Sequence, residues 1–118
     1  MKELNLRNYA YLGDAVWELF IREATILKTQ NANELHKITI EKVNAKIQHD
    51  LLMQIQDKLT EEELEIMRRS RNLPVPIARK SNQSDYRLAT AFEALIGWWY
   101  KNDKNRLKEI EQILLNLL

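Results

Sequence analysis

Apolar residues recur three and four positions apart along most of this chain, and only two glycines and two prolines interrupt its 118 residues. That spacing follows the 3.6-residue turn of an α-helix, and so few breakers leave little room for hairpins. The pattern predicts an all-α fold, a single helical domain over residues 1–118. Its 45% apolar content is enough to build one core. Cysteine is absent, which excludes disulfides, thiolate metal sites and a cysteine nucleophile. No apolar run approaches the roughly 20 residues of a membrane span, and MKELNLRNYA lacks the apolar segment of a secretory signal, so the expectation is a cytoplasmic protein with no membrane partner.

The first helix is predicted from about Asn8 to Lys28, ended by TQNAN. Asn33 is placed as the cap of the next helix, which runs to about Leu59, broken or kinked along the way, with Leu35, Ile38, Val43, Ile47 and Leu51 as its buried stripe. Thr60 followed by Glu63 is a capping box and starts a helix that reaches about Arg71. NLPVPIARKSNQ, from Asn72 to Gln83, has two prolines and no helical period, and reads as a loop of a length that is often functional. Ser84 or Asn82 then caps DYRLATAFEALIGWWYK, and NRLKEIEQILLNLL closes the chain.

Two stretches resist an explanation by packing alone. YLGDAVWELF carries Gly13 and Asp14 inside an apolar helix, although glycine costs about 1 kcal/mol there. From Leu88 to Tyr100 the only charged residue is Glu93, in a helix apolar nearly all round. An isolated buried carboxylate must be paired, protonated or bound to a cation. Glu93 shares its face with Ala89, Thr90 and Gly97, all small, and Gly13 offers a similar surface beside Asp14. Crossing the two helices there would bring the carboxylates together, where a proton or a divalent cation must separate them, and hard oxygen donors suit Mg²⁺ or Mn²⁺. The plainer alternative leaves Asp14 solvated beside Glu18 and Arg22 and gives Glu93 a hydrogen bond from a buried tyrosine.

The net charge is only +1, yet its distribution is uneven. Asp57 to Glu65 holds five acids against one lysine, whereas Arg68 to Arg87 holds six bases against one acid. A near-neutral total therefore conceals a basic stretch suited to phosphates, with Arg68, Arg69, Arg71, Arg79 and Lys80 as the candidate contacts. The RRSR arginines also complement a helix C-terminus, whatever else they do. His36 and His49 lack ligand-like spacing, and Trp17, Trp98 and Trp99 read as core or interface aromatics.

YLGDAV resembles the core of the ribonuclease III signature, in which a leucine, a glycine and a catalytic aspartate sit on the first conserved helix of an all-helical endonuclease domain. TAFEALIGWWY resembles the second catalytic stretch of that family, Asp-x-x-Glu-Ala-x-x-Gly-Ala-x-Tyr. With RRSRN before the loop, the chain is most similar to the Mini-ribonuclease III group, the short bacterial form without a double-stranded RNA-binding domain. Asp14 matches the family's aspartate and Glu93 its glutamate, while two further family carboxylates fall on Ala10 and Thr90, a reduced set that the Mini form shares. The resemblance implies a Mg²⁺-dependent homodimer that cuts double-stranded RNA to 5′-phosphate and 3′-hydroxyl ends, in maturation of the 23S ribosomal RNA precursor, with Asp14 and Glu93 catalytic and metal-binding. It leaves open an inactive relative that binds structured ribosomal RNA, and a purely structural helical dimer. Trp98, Trp99 or the first helix are the surfaces considered for the dimer contact.

Overall fold

The computed structural model describes residues 5–75 and 83–118. Among them the chain forms helices α1 (Leu6–Thr25), α2 (Ala32–Val43), α3 (Ala45–Ile55), a 3₁₀ turn (Gln56–Lys58), α4 (Glu61–Arg71), α5 (Gln83–Asn102) and α6 (Lys104–Leu117), with no strand. No helix of the described residues is long and apolar enough to cross a membrane.

Each boundary has a local cause. The Asn5 side chain accepts from the Arg7 N–H and starts α1 two residues before the predicted Asn8. Asn31, not Asn33, caps α2, because its side chain accepts from the N–H groups of Asn33 and Glu34. The predicted break in the second helix falls at Asn44. Its amide Nδ2 donates to the Ile40 and Glu41 carbonyls at 3.2 and 3.1 Å, while its Oδ1 accepts from the Ile47 N–H at 3.0 Å. One residue thus ends α2 and begins α3. The capping box at Thr60 and Glu63 forms as expected, and α4 ends at Arg71. Ser84 lies inside α5 rather than at its cap, and Asn82 lies outside the described residues. Asp103 caps α6 by accepting from the Arg106 N–H.

α5 is the central helix, packed on α1, α3, α4 and α6, and most extensively on α1. Leu88, Ala89, Ala91, Phe92, Ala94, Leu95, Ile96 and Trp99 are all buried on it, which is why the sequence is apolar nearly all round. Trp17, fully buried on α1, sets its ring edge-on to Phe92 at 5.1 Å and donates Nε1 to the Lys42 carbonyl at 3.0 Å, tying α1 to both α5 and the last turn of α2. Of the stripe expected across α2 and α3, Leu51 is buried and Leu35, Ile38, Val43 and Ile47 are half-buried.

Glu63 does more than cap. It is buried, and its carboxylate accepts from Trp99 Nε1 at 2.7 Å, Arg106 Nε at 3.0 Å and Arg106 Nη2 at 2.9 Å, besides the Thr60 N–H at 2.9 Å. Burial alone would raise its pKa, but the Arg106, Thr60 and Trp99 hydrogen bonds and the Arg106 charge outweigh it and hold the group below the usual value. Trp99 is therefore a core anchor and is removed from the surfaces considered for a dimer contact.

Candidate active site

The two glycines explain how close α1 and α5 come. A Cβ added at Gly13 would lie 1.7 Å from the Glu93 carbonyl oxygen, and one at Gly97 would lie 1.9 Å from the Tyr9 carbonyl oxygen. Each helix backbone rests directly on the other, at a distance that no side chain permits. Tyr9 pairs with the Gly97 end of α5 and Trp17 with Phe92, so the two helices cross in opposite directions.

This crossing places Asp14 and Glu93 side by side, within hydrogen-bonding reach of one another. Asp14 is exposed, whereas Glu93 is half-buried at the foot of the crossing. Burial first, and then hydrogen bonding and charge from the adjacent Asp14, together push the Glu93 carboxyl up to about 8 against the opposing Gln48 amide. Glu93 thus keeps a proton at neutral pH unless a cation takes its place. Asp14 is solvated, as the plainer reading held, and Glu18 pairs with Arg22 at 3.3 Å, but the solvated Asp14 also faces Glu93.

Among the described residues no cluster of three or more His, Cys, Asp or Glu side chains is arranged to hold a metal. The donor set is the two carboxylates; the nearby Gln48 amide donates its Nε2 to Glu93 Oε2 at 3.4 Å. Such oxygen groups, with room for water on the exposed Asp14 side, fit one Mg²⁺ or Mn²⁺ and suit soft metals poorly.

The basic candidates are not all brought together. Arg68, Arg69 and Arg71 occupy the last turn of α4, with Arg68 and Arg69 exposed; Arg79 and Lys80 lie outside the described residues. Arg68 pairs with Glu65 through two hydrogen bonds, Nε to Oε2 at 3.1 Å and Nη2 to Oε1. The chain leaving α4 is held by arginines from the two carboxylate-bearing helices: Arg87 Nη1 donates to the Arg71 and Leu73 carbonyls at 3.2 and 3.3 Å, and Arg7 Nη2 to the Pro74 carbonyl at 2.7 Å.

Sequence reasoning missed two polar residues of α3 that bond to α5. Gln48 is 2% exposed, and the signal for it was its place three residues before Leu51, four before Leu52 and seven before Ile55, inside the buried stripe of α3. His49, given no role from spacing, sits against Asp85 with Nδ1 and Oδ1 2.5 Å apart, two turns from Glu93 along α5. Their sequence separation of 36 residues left no local sign.

A family model, the ribonuclease III domain, matches residues 7–104. The chain is 41% identical to a Mini-ribonuclease 3 of Clostridium tetani, over 99% of this chain and 80% of that protein. It is likewise 41% identical to a Mini-ribonuclease 3 of Gloeobacter violaceus, over 91% of this chain and 79% of the relative. A crystal structure of a Fusobacterium nucleatum protein superposes with a TM-score of 0.85 at 34% identity, covering 98% of this chain and 94% of the other. Both motifs lie inside the matched region, and the chain therefore belongs to the ribonuclease III family, in its Mini-ribonuclease 3 branch, and is an endoribonuclease.

Proposed function

We propose that residues 1–118 form one catalytic domain that cleaves double-stranded RNA with Mg²⁺ as its cofactor, Mn²⁺ substituting, and with Asp14 and Glu93 as catalytic metal ligands. The observation that carries this reading is the meeting of Asp14 with a half-buried Glu93 at a glycine-to-glycine helix crossing. Two carboxylates held together by backbone contact repel each other, and Asp14 and Glu93 would hold a divalent cation between them in place of the retained proton. When bound, Mg²⁺ supplies an oriented, activated water and stabilises charge on the phosphate in flight. Asp14, on the exposed side, faces the approaching RNA, and Glu93 anchors the centre from the protein side. Ala89 and Gly97, buried on the face of α5 that carries Glu93, limit bulk water at the centre. Hydrolysis forms a bond from the water oxygen to phosphorus and breaks the bond to the 3′ oxygen, leaving a 5′-phosphate and a 3′-hydroxyl.

Arg68, Arg69, Arg71, Arg79 and Lys80 are the proposed phosphate contacts, since holding a duplex requires many such charges. A homodimer would present one centre to each strand, and exposed apolar residues of α1, Tyr11 and Leu19, offer it a surface. A precursor of 23S ribosomal RNA is the proposed natural substrate, in the cytoplasm. Asp14→Asn should lower the cleavage rate of end-labelled duplex RNA by a factor of 100 or more, and EDTA should abolish it. Unchanged cleavage by Asp14→Asn would refute the assignment. The second reading, an inactive module that binds structured RNA, is favoured by Ala10 and Thr90 standing where the family's other carboxylates fall. It predicts tight duplex binding with no Mg²⁺-dependent product.

A further inference from the structure

Helix α3 presents an apolar face to α5, made of Leu51, Leu52 and Ile55, all 2% exposed or less. Gln48 occupies the same face and is equally buried. An amide at such a position is costly unless its polar atoms are satisfied, and a leucine or methionine would fill the space without that cost. Its Nε2 reaches across to α5 and donates to Glu93 Oε2. The contact spans 45 residues of sequence and ends on one of the two carboxylates of the proposed centre.

The geometry points to Gln48 as a positioning residue for the metal centre: its amide holds one oxygen of Glu93 in place and leaves the other oxygen, with Asp14, to meet a divalent cation. This inference rests on the metal-centre reading above. Three features support it. The amide is neutral, so two carboxylates and one divalent cation remain balanced; a third carboxylate at this position would leave a half-buried net negative charge. The bond is made by a group with little freedom, because Gln48 is packed among core side chains and α3 starts only three residues earlier, at Ala45 behind the Asn44 cap. At 3.4 Å the hydrogen bond is long and has room to shorten. Outer partners of this kind, which orient a ligand without touching the metal, commonly change metal affinity by about tenfold or more when removed.

A purely structural glutamine predicts something different. It would contribute to the stability of the fold and be indifferent to metal. The test separates the two by reading Mn²⁺ binding directly, by electron paramagnetic resonance and by titration calorimetry, in the full chain without RNA. Gln48→Met keeps the length and flexibility of the side chain and removes the donor. The expected result is about a tenfold weaker Mn²⁺ affinity with a urea midpoint equal to or above that of the wild type in EDTA. An unchanged Mn²⁺ affinity would overturn the inference, whatever happens to stability.

Should Gln48→Met not fold, the wild type answers alone. With ¹⁵N-labelled protein, the Gln48 Nε2 proton resonances should shift and exchange more slowly as Mg²⁺ is added, and their staying unchanged at saturation would overturn the inference. The controls distinguish this failure from that of the underlying reading. If the wild type binds Mn²⁺ and Asp14→Asn does not, the metal centre stands, and Gln48→Met judges only the role of the glutamine. If the wild type binds no Mn²⁺, both are overturned.

Discussion

Replacing Gly13 by alanine should destabilise the protein even though the same change helps an ordinary helix. In a solvated helix Gly→Ala gains about 1 kcal/mol. Here the new methyl would lie 1.7 Å from the Glu93 carbonyl oxygen and 2.8 Å from the Gly97 nitrogen. Ordinary non-bonded contacts begin near about 3.5 Å, so α1 and α5 must separate by something under 2 Å. Backbone cannot rotate away as a flexible side chain can. A gap of even 0.5–1 Å forfeits roughly a quarter to a half of each dispersion contact, and this is the most extensive helix contact of the fold. Overpacking costs about 1–3 kcal/mol, and against unyielding backbone the upper end applies, so a net loss of about 2 kcal/mol is expected after the propensity gain. Gly97→Ala, whose methyl would meet the Tyr9 carbonyl oxygen at 1.9 Å, should cost a similar amount. The double variant is the sharper experiment. A single separation of the helices relieves both clashes, so the two costs should fall short of additivity by about 1 kcal/mol. Urea unfolding followed by circular dichroism measures all three values, and Trp17 fluorescence reports the crossing itself. A Gly13→Ala variant as stable as the wild type would show that the backbones do not touch, and the account of how Asp14 meets Glu93 would go with it.

Other outcomes follow from the two half-buried or buried carboxylates. In EDTA the Glu93 carboxyl, held up to about 8, keeps in the folded state a proton that the unfolded chain releases near pH 4.5. Wild-type stability should therefore be greatest, in this respect, below about pH 4.5 and fall as pH rises toward 8, by no more than about 3 kcal/mol at pH 7. Glu93→Gln should abolish that slope, and should also abolish cleavage; a slope unchanged in the variant would reject the assignment. Glu63 has the opposite sign, because its pKa is lowered: its stabilisation is complete above the unfolded value and is lost as pH falls through the folded one. Glu63→Gln, which leaves the Arg106 guanidinium without its carboxylate, should cost about 3 kcal/mol in urea unfolding at pH 7 and remove the acid limb of the stability profile. Trp99→Phe should cost about 1–2 kcal/mol, since it removes a 2.7 Å donor and leaves Glu63 with one partner fewer.

The sequence betrayed the helix crossing because the crossing breaks local rules. Gly13 in a helix, and Glu93 alone among thirteen otherwise uncharged residues, are errors unless something across the fold requires them. Thr60 was readable for another reason: a capping box is complete within four residues. Its second function was not, since Glu63 reaches Trp99 and Arg106, 36 and 43 residues downstream. Asn44 was hard to place because N-A-K continues a helical period, and only the competition of its side chain for nearby backbone groups ends one helix and starts the next. Gln48 was passed over although its spacing puts it in the buried stripe of α3, because a polar residue on an amphipathic helix is usually a solvated one.

Asn44 also has a mechanical consequence. With no linker between α2 and α3, the two helices form a bent lever, and the Trp17 hydrogen bond to the Lys42 carbonyl pins it close to the elbow. The outer arm, the 12 residues of α2, is about 18 Å long. The inner arm from Ala45 to Gln48 is about 6 Å. Were the two arms to move as one body about that fulcrum, a displacement at the outer end of α2 would reach the amide beside Glu93 reduced roughly threefold, the ratio of the arms.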